Sequence, residues 1–95
     1  VKDDDYTLQA GDIGRLIEMD KGSAVNLVVP EFGEALEAGS WVDFAQVGAG
    51  TVTLDPDGAT VIQSAVGLDT AAQWSVGRLY YRGGDVWVAS GDLSP

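Results

Sequence analysis

Fifteen Asp and Glu residues make up most of the chain's ionisable side chains, and its 95 residues include neither His nor Cys. No Ser has an imidazole to activate it, so a Ser-His-Asp triad cannot form. Zinc sites built from Cys and His are equally unavailable, as are disulfides. Two carboxylates can flank a glycosidic bond, but fifteen scattered acids make chance pairs and none stands out. Asp55-Pro56-Asp57-Gly58 opens like a calcium loop. It fails farther along, since such a loop needs a third oxygen ligand before its Gly and a Glu at its twelfth position, where Val66 stands. The segment reads instead as a tight turn, and Asp3-Asp4-Asp5 as a hydrated terminus. No Gly cluster has the strand-loop-helix setting of a phosphate or dinucleotide loop. The expectation is a non-enzymatic structural or binding module with no catalytic, metal or cofactor residue and no cofactor.

Charge narrows the partners. Five Lys and Arg leave a formal net of -10, so nucleic acid, which needs a basic footprint, is not an expected partner. An acidic surface could meet a basic one, although most of these carboxylates read as solvated surface. Apolar runs extend only a few residues, which predicts no membrane span and no signal-peptide core. One domain, residues 1–95, is expected at this length. A domain this small buries only roughly 60–65% of its unfolded surface, so contact with copies or neighbours would add stability.

Thirteen Gly divide the chain into short segments rich in Val, Ile, Thr and aromatics, the pattern of an all-β domain. The predicted fold is a small antiparallel sandwich or barrel-like domain with at most one short helix near residues 31–38. Tyr6-Thr7-Leu8 follows the acidic leader as an edge strand or a docking arm. Residues 15–19 and 24–29 read as a hairpin across Asp20-Lys21-Gly22-Ser23, with Gly22 in a left-handed turn position and Pro30 ending the second strand. Strands resume at residues 41–47, 51–54 and 59–63. Between the last two, Pro56 presets a turn and Gly58 takes its freest place. Residues 73–81 and 85–89 form a last hairpin across Arg82-Gly83-Gly84. No internal repeat of fixed period is evident.

Alternation then sorts the aromatics. Val42 and Phe44 share one face and Trp41, Asp43 and Ala45 the other, so a core built on Val42 and Phe44 makes Trp41 a candidate for a partner surface. Around Trp87 both faces are apolar, Val86 and Val88 against Trp87 and Ala89, which makes Trp87 a second candidate. Trp74, Tyr80 and Tyr81 complete the pool that could stack on sugar rings or pack in a core or subunit interface.

Taken together, Tyr6-Thr7-Leu8, Asp12-Ile13-Gly14-Arg15-Leu16-Ile17-Glu18-Met19, Leu27-Val28-Val29-Pro30 and Ala38-Gly39-Ser40-Trp41-Val42 form an ordered series. It continues through Gln46-Val47-Gly48-Ala49-Gly50-Thr51-Val52-Thr53, Gly58-Ala59-Thr60-Val61-Ile62, Gln73-Trp74-Ser75 and Trp87-Val88-Ala89-Ser90-Gly91-Asp92-Leu93. In order and spacing this series resembles a β-rich module of tailed-phage virion proteins, found in head decoration and head-fibre, tail-fibre and minor tail proteins. Trp41 and the acidic stretch at residues 31–37 depart from it. The resemblance implies a non-enzymatic building block, commonly a homotrimer, on the outer surface of the phage particle. Two roles follow as expectations. One is a capsid decoration protein that binds the major capsid protein and stabilises the assembled shell, the role a chain of 95 residues standing alone favours. The other is a tail-fibre or minor-tail domain that binds a host-surface receptor or glycan. For docking, the terminal segment with Asp5, Tyr6, Thr7 and Leu8 is the expected element, separable from the core and able to add a strand to a neighbour.

Overall fold

Short β-branched segments punctuated by turns give ten strands in the computed structural model, which describes residues 1–94, with the backbone alone at residue 34. They are β1 (Tyr6–Thr7), β2 (Leu16–Met19), β3 (Val25–Val29), β4 (Trp41–Gln46) and β5 (Val52–Pro56). After these come β6 (Val61–Ser64), β7 (Asp69–Thr70), β8 (Val76–Gly83), β9 (Val86–Gly91) and β10 (Leu93–Ser94). Two five-stranded sheets pack face to face: sheet I in the order β1-β3-β5-β7-β10, sheet II in the order β2-β4-β8-β9-β6. The chain is an all-β sandwich, and among the described residues its helical content is limited to single 3-10 turns at Ala10–Asp12 and Gly33–Ala35.

The connectivity differs from the expected antiparallel hairpins. From β1 to β8 each strand lies in the sheet opposite its predecessor. The pairs β1/β3, β3/β5, β2/β4 and β6/β9 are parallel, and β4/β8 and β5/β7 are antiparallel. Residues 15–19 and 24–29 do not pair with each other, and Gly22 is not among the left-handed glycines. A hairpin and a crossover between sheets both need a polar, Gly-bearing connection, so turn composition alone did not separate them. The register also contains a period. Every paired residue of β2 and β3 meets one 27 positions later, Leu16 with Asp43 at one end and Val29 with Pro56 at the other.

Close backbone contact fixes that period. The connection at Lys21-Gly22-Ser23 lies directly on Gly48-Ala49-Gly50. Gly50 N donates to Lys21 O at 2.8 Å, and Val47 N donates to Met19 O at 2.9 Å. A Cβ on Gly50 would land on the Ser23 carbonyl, and one on Gly48 on the Lys21 backbone. Small size, not a left-handed conformation, is what these two positions require.

Only the last expected hairpin, β8/β9, is present as such. Its turn sits at Gly84-Asp85, both at positive φ (61° and 60°) between the paired Gly83 and Val86. Two left-handed residues match the right-handed twist of the flanking strands. Pro30 does follow the end of β3, and Gly58 is left-handed. The Gly58 turn closes with Thr60 N on Asp57 O, which leaves Pro56 as the last residue of β5.

Between the sheets lie Leu27 and Leu54 from sheet I and Val42, Phe44, Leu79, Tyr81 and Trp87 from sheet II, all essentially without solvent exposure. Phe44 reaches over Gly77, where a Cβ would strike its ring. One polar bridge crosses this core. Thr70 Oγ1 donates to Gln46 Oε1 and accepts from Val52 N (3.0 Å), which satisfies the buried groups it joins.

The stacked turns predict a sharp contrast between neighbouring glycines. Gly50→Ala should cost about 2–3 kcal/mol by forcing backbone apart. Gly22→Ala, with open space around it, should stay within about 0.5 kcal/mol of the wild type. Urea unfolding of the two variants measures this, and equal losses would mean that the turns are not in contact.

Candidate partner interface

Because inward and outward residues alternate, each sheet presents a second face to solvent. Sheet I shows Thr7, Asn26, Val28, Thr53, Asp55, Asp69 and Ser94 there, with no Lys or Arg in its strands. Thr53 Oγ1 donates to Asp69 Oδ1 at 2.8 Å. The outer face of sheet II is chemically different. Trp41, Tyr80, Val88 and Gln63 form one continuous row across β4, β8, β9 and β6. A parallel row holds Leu16, Asp43, Arg78 and Ser90. Val76, on the same face of β8, and Leu16 are both about half exposed.

The centre of this face is fixed by Arg78. Its Nε donates to Asp43 Oδ1 at 2.6 Å and its second nitrogen to Asp43 Oδ2 at 3.1 Å, while the guanidinium lies 4.2 Å from the centroid of the Trp41 ring. The carboxylate hydrogen bond raises the Arg78 pKa above its ordinary value. A two-point salt bridge and a stacked ring hold one flat arrangement. Trp41 is half-buried here, opposite the Val42 and Phe44 core face, as the alternation of β4 requires.

Trp87, the other aromatic candidate, is in the core. It has 0% exposure, with the Tyr81 ring at 4.9 Å and Phe32 at 6.2 Å. It therefore offers no surface to a partner on this chain, and Val86 and Val88 occupy the outward positions. Both faces of β9 being apolar, alternation identified two faces but not which one points inward. Tyr81 is likewise buried, its hydroxyl donating to Gly33 O (2.8 Å) and accepting from Asp85 N (2.9 Å). The alternation of β8 sends Tyr80 outward at 41% exposure.

The N-terminal segment is built into the sandwich and is not a separable arm. Tyr6 and Thr7 pair with Leu27 and Val28, and Leu8, 2% exposed, enters the core. Asp5 accepts from Asn26 N at 2.8 Å, and the Lys21 ammonium lies 2.7 Å from Asp4. That hydrogen bond lowers the Asp4 pKa and raises that of Lys21. Lys2 N donates to Glu18 O, and the Lys2 ammonium sits 4.2 Å above the Tyr6 ring. Removing residues 1–8 would therefore remove core, contrary to the expectation that the fold survives it. Within the described residues, no three His, Cys, Asp or Glu side chains gather to hold a metal ion, and no pocket opens.

The sequence shows neither the partner of Arg78 nor the conformation of Trp74. Arg78 lies 35 residues from Asp43 and meets it only through β4/β8 pairing. Trp74 combines 67% exposure with a left-handed φ of 74°, held by Trp74 N on Gln46 O and by Gln73 Nε2 on Val47 O at 2.9 Å. A large side chain in that region is uncommon, and strain of this kind concentrates at functional positions.

Tyr6 carries a pH signature. Burial first, and then its hydrogen bond to Asp12 (2.7 Å), push its pKa from 10.0 to about 12. The folded state thus prefers the protonated phenol. Its stabilisation is complete below pH 10 and is lost as pH rises toward 12. Urea midpoints measured across this window should fall less for Tyr6→Phe than for the wild type; identical slopes would show that the phenol does not report on folding.

No family model, curated protein or solved structure matches the chain.

Proposed function

We propose that the chain is a structural protein of a tailed-phage virion, a capsid decoration protein that binds the assembled shell and stabilises it. The resemblance supplies the setting. Three of its segments fall on elements of the scaffold, Tyr6-Thr7 on β1, residues 16–19 on β2 and Gly48-Ala49-Gly50 on the stacked turn. The observation that carries the reading is the chemical contrast between the two outer faces. One is apolar and aromatic around Trp41, Tyr80 and Val88; the other is polar and acidic around Asp55 and Asp69.

A decoration protein needs surfaces for two kinds of neighbour, its sister copies and the shell. A net charge of -10 suits a basic surface on the major capsid protein. Binding selective for the assembled shell stabilises it by mass action without any catalysis. A homotrimer is part of the proposal, with the chain on the outside of the particle and no cofactor, nucleic acid or membrane involved.

The second reading is a tail-fibre or minor-tail domain that binds a host-surface glycan. Trp74 favours it, since an exposed aromatic held in a strained turn is a ready platform for a sugar ring.

Electron microscopy of particles labelled with antibody against this chain decides between them. Label over the outside of the head is expected. Label confined to the tail would move the function to the second reading, and unlabelled particles containing no copy of the chain would refute both.

A further inference from the structure

On the reading of the chain as a virion building block, we infer that the outer face of sheet II is where a second copy of the same chain docks. Its middle is the row of Trp41, Tyr80 and Val88, already flattened by the Arg78 guanidinium stacked on Trp41. Apolar and aromatic side chains with an arginine among them are the usual composition of an interface centre.

Charge selects the occupant. At a formal net of -10, two copies repel over most of their surfaces. The strands of sheet II are the exception, because their solvent-accessible charges balance: Arg78 on β8 and Arg82 at the irregularity between Tyr81 and Gly83 against Asp43 on β4 and Glu18 on β2. A strongly basic partner would gain more from the outer face of sheet I, where the strand carboxylates Asp55 and Asp69 have no cation among them.

The unpaired charges add a direction. Arg78 is bound to Asp43, but Arg82 and Glu18 have no ion-pair partner among the described residues. They sit toward opposite ends of the face: Glu18 is level with Ala45 and Val76, and Arg82 lies beyond Tyr80 at the other end of β8. Bringing opposite ends together, head to tail, sets Arg82 of one copy against Glu18 of the next. Repeated around a three-fold axis, this heterologous contact would close into the homotrimer proposed above.

The test uses sedimentation equilibrium on the whole chain, with circular dichroism to confirm folding. The wild type should sediment as an oligomer. Tyr80→Asp and Val88→Asp, both at outward positions, should sediment as folded monomers. Asp55→Lys, on the other face, should keep the oligomer. Glu18→Arg and Arg82→Glu should each weaken association about two- to fivefold, and the double swap should restore it. A wild type that remains monomeric at high concentration overturns the inference while leaving the virion role to the labelling experiment. Oligomers that survive the two apolar-face variants, or a double swap no better than the single ones, overturn it as well.

Discussion

Two backbone turns that touch hold the rest of the molecule in register. Residues 20–24 link β2 to β3 and residues 47–51 link β4 to β5, so the two crossings have the same length. They stack with Gly48 and Gly50 against Lys21 and Ser23, leaving no room for a side chain. Equal length and direct contact give the same 27-residue offset on both sides of the crossing. Since side chains alternate along a strand, a slip of one residue would turn Val25, Leu27 and Val29 outward and Asn26 and Val28 inward. Close packing at a pair of glycines thus sets which residues become core and which become surface.

The contrast between outer faces follows from that register. Asp43 and Arg78 are opposite one another only because β4 and β8 pair with Val42 on Leu79. The same pairing puts Trp41 beside Tyr80, and the β8/β9 pairing extends the row to Val88. In sheet I the corresponding outward positions are filled by Thr7, Asn26, Thr53, Asp55 and Asp69. The interior is common to both sheets and largely apolar, with Gln46, Thr60, Thr70 and Ser75 as its buried polar residues. Surface chemistry divides the molecule into two sides where the core does not.

Strand character was legible in the sequence because it is local. β-branched runs, Pro30 at a strand end and a left-handed Gly58 all act through their own backbone. The facing of Trp41 was legible as well, since Val42 and Phe44 both had to be buried. Pairing was not, because a Gly-bearing turn serves a hairpin and a crossing equally. One signal did separate them. The real hairpin has a two-residue turn at Gly84-Asp85 with both residues left-handed, whereas residues 20–24 span five positions without that requirement. The 27-residue period is faint in the sequence because the two stretches share little beyond Val25 with Val52 and Leu27 with Leu54. Trp87 was misplaced for a related reason: in β9 both faces are apolar, and only the position of sheet I decides which is inside.

The sheet edges bear on how such a sandwich associates. An exposed edge offers unpaired backbone groups to another chain, and proteins limit this with short or covered edge strands. Both edges of sheet I, β1 and β10, are two residues long. In sheet II, the β2 edge is covered by the N-terminal segment, with Lys2 N on Glu18 O and Asp20 N on Lys2 O, both at 2.7 Å. That leaves β6, four residues long, as the one longer edge without such cover among the described strands. Edge pairing therefore has little backbone to work with, while the outer face of sheet II presents side chains from all five of its strands. Association across a face depends on side-chain identity at Tyr80 and Val88, whereas association along an edge would depend mainly on backbone. In the proposed assembly, the deciding residues are those that alternation turns outward.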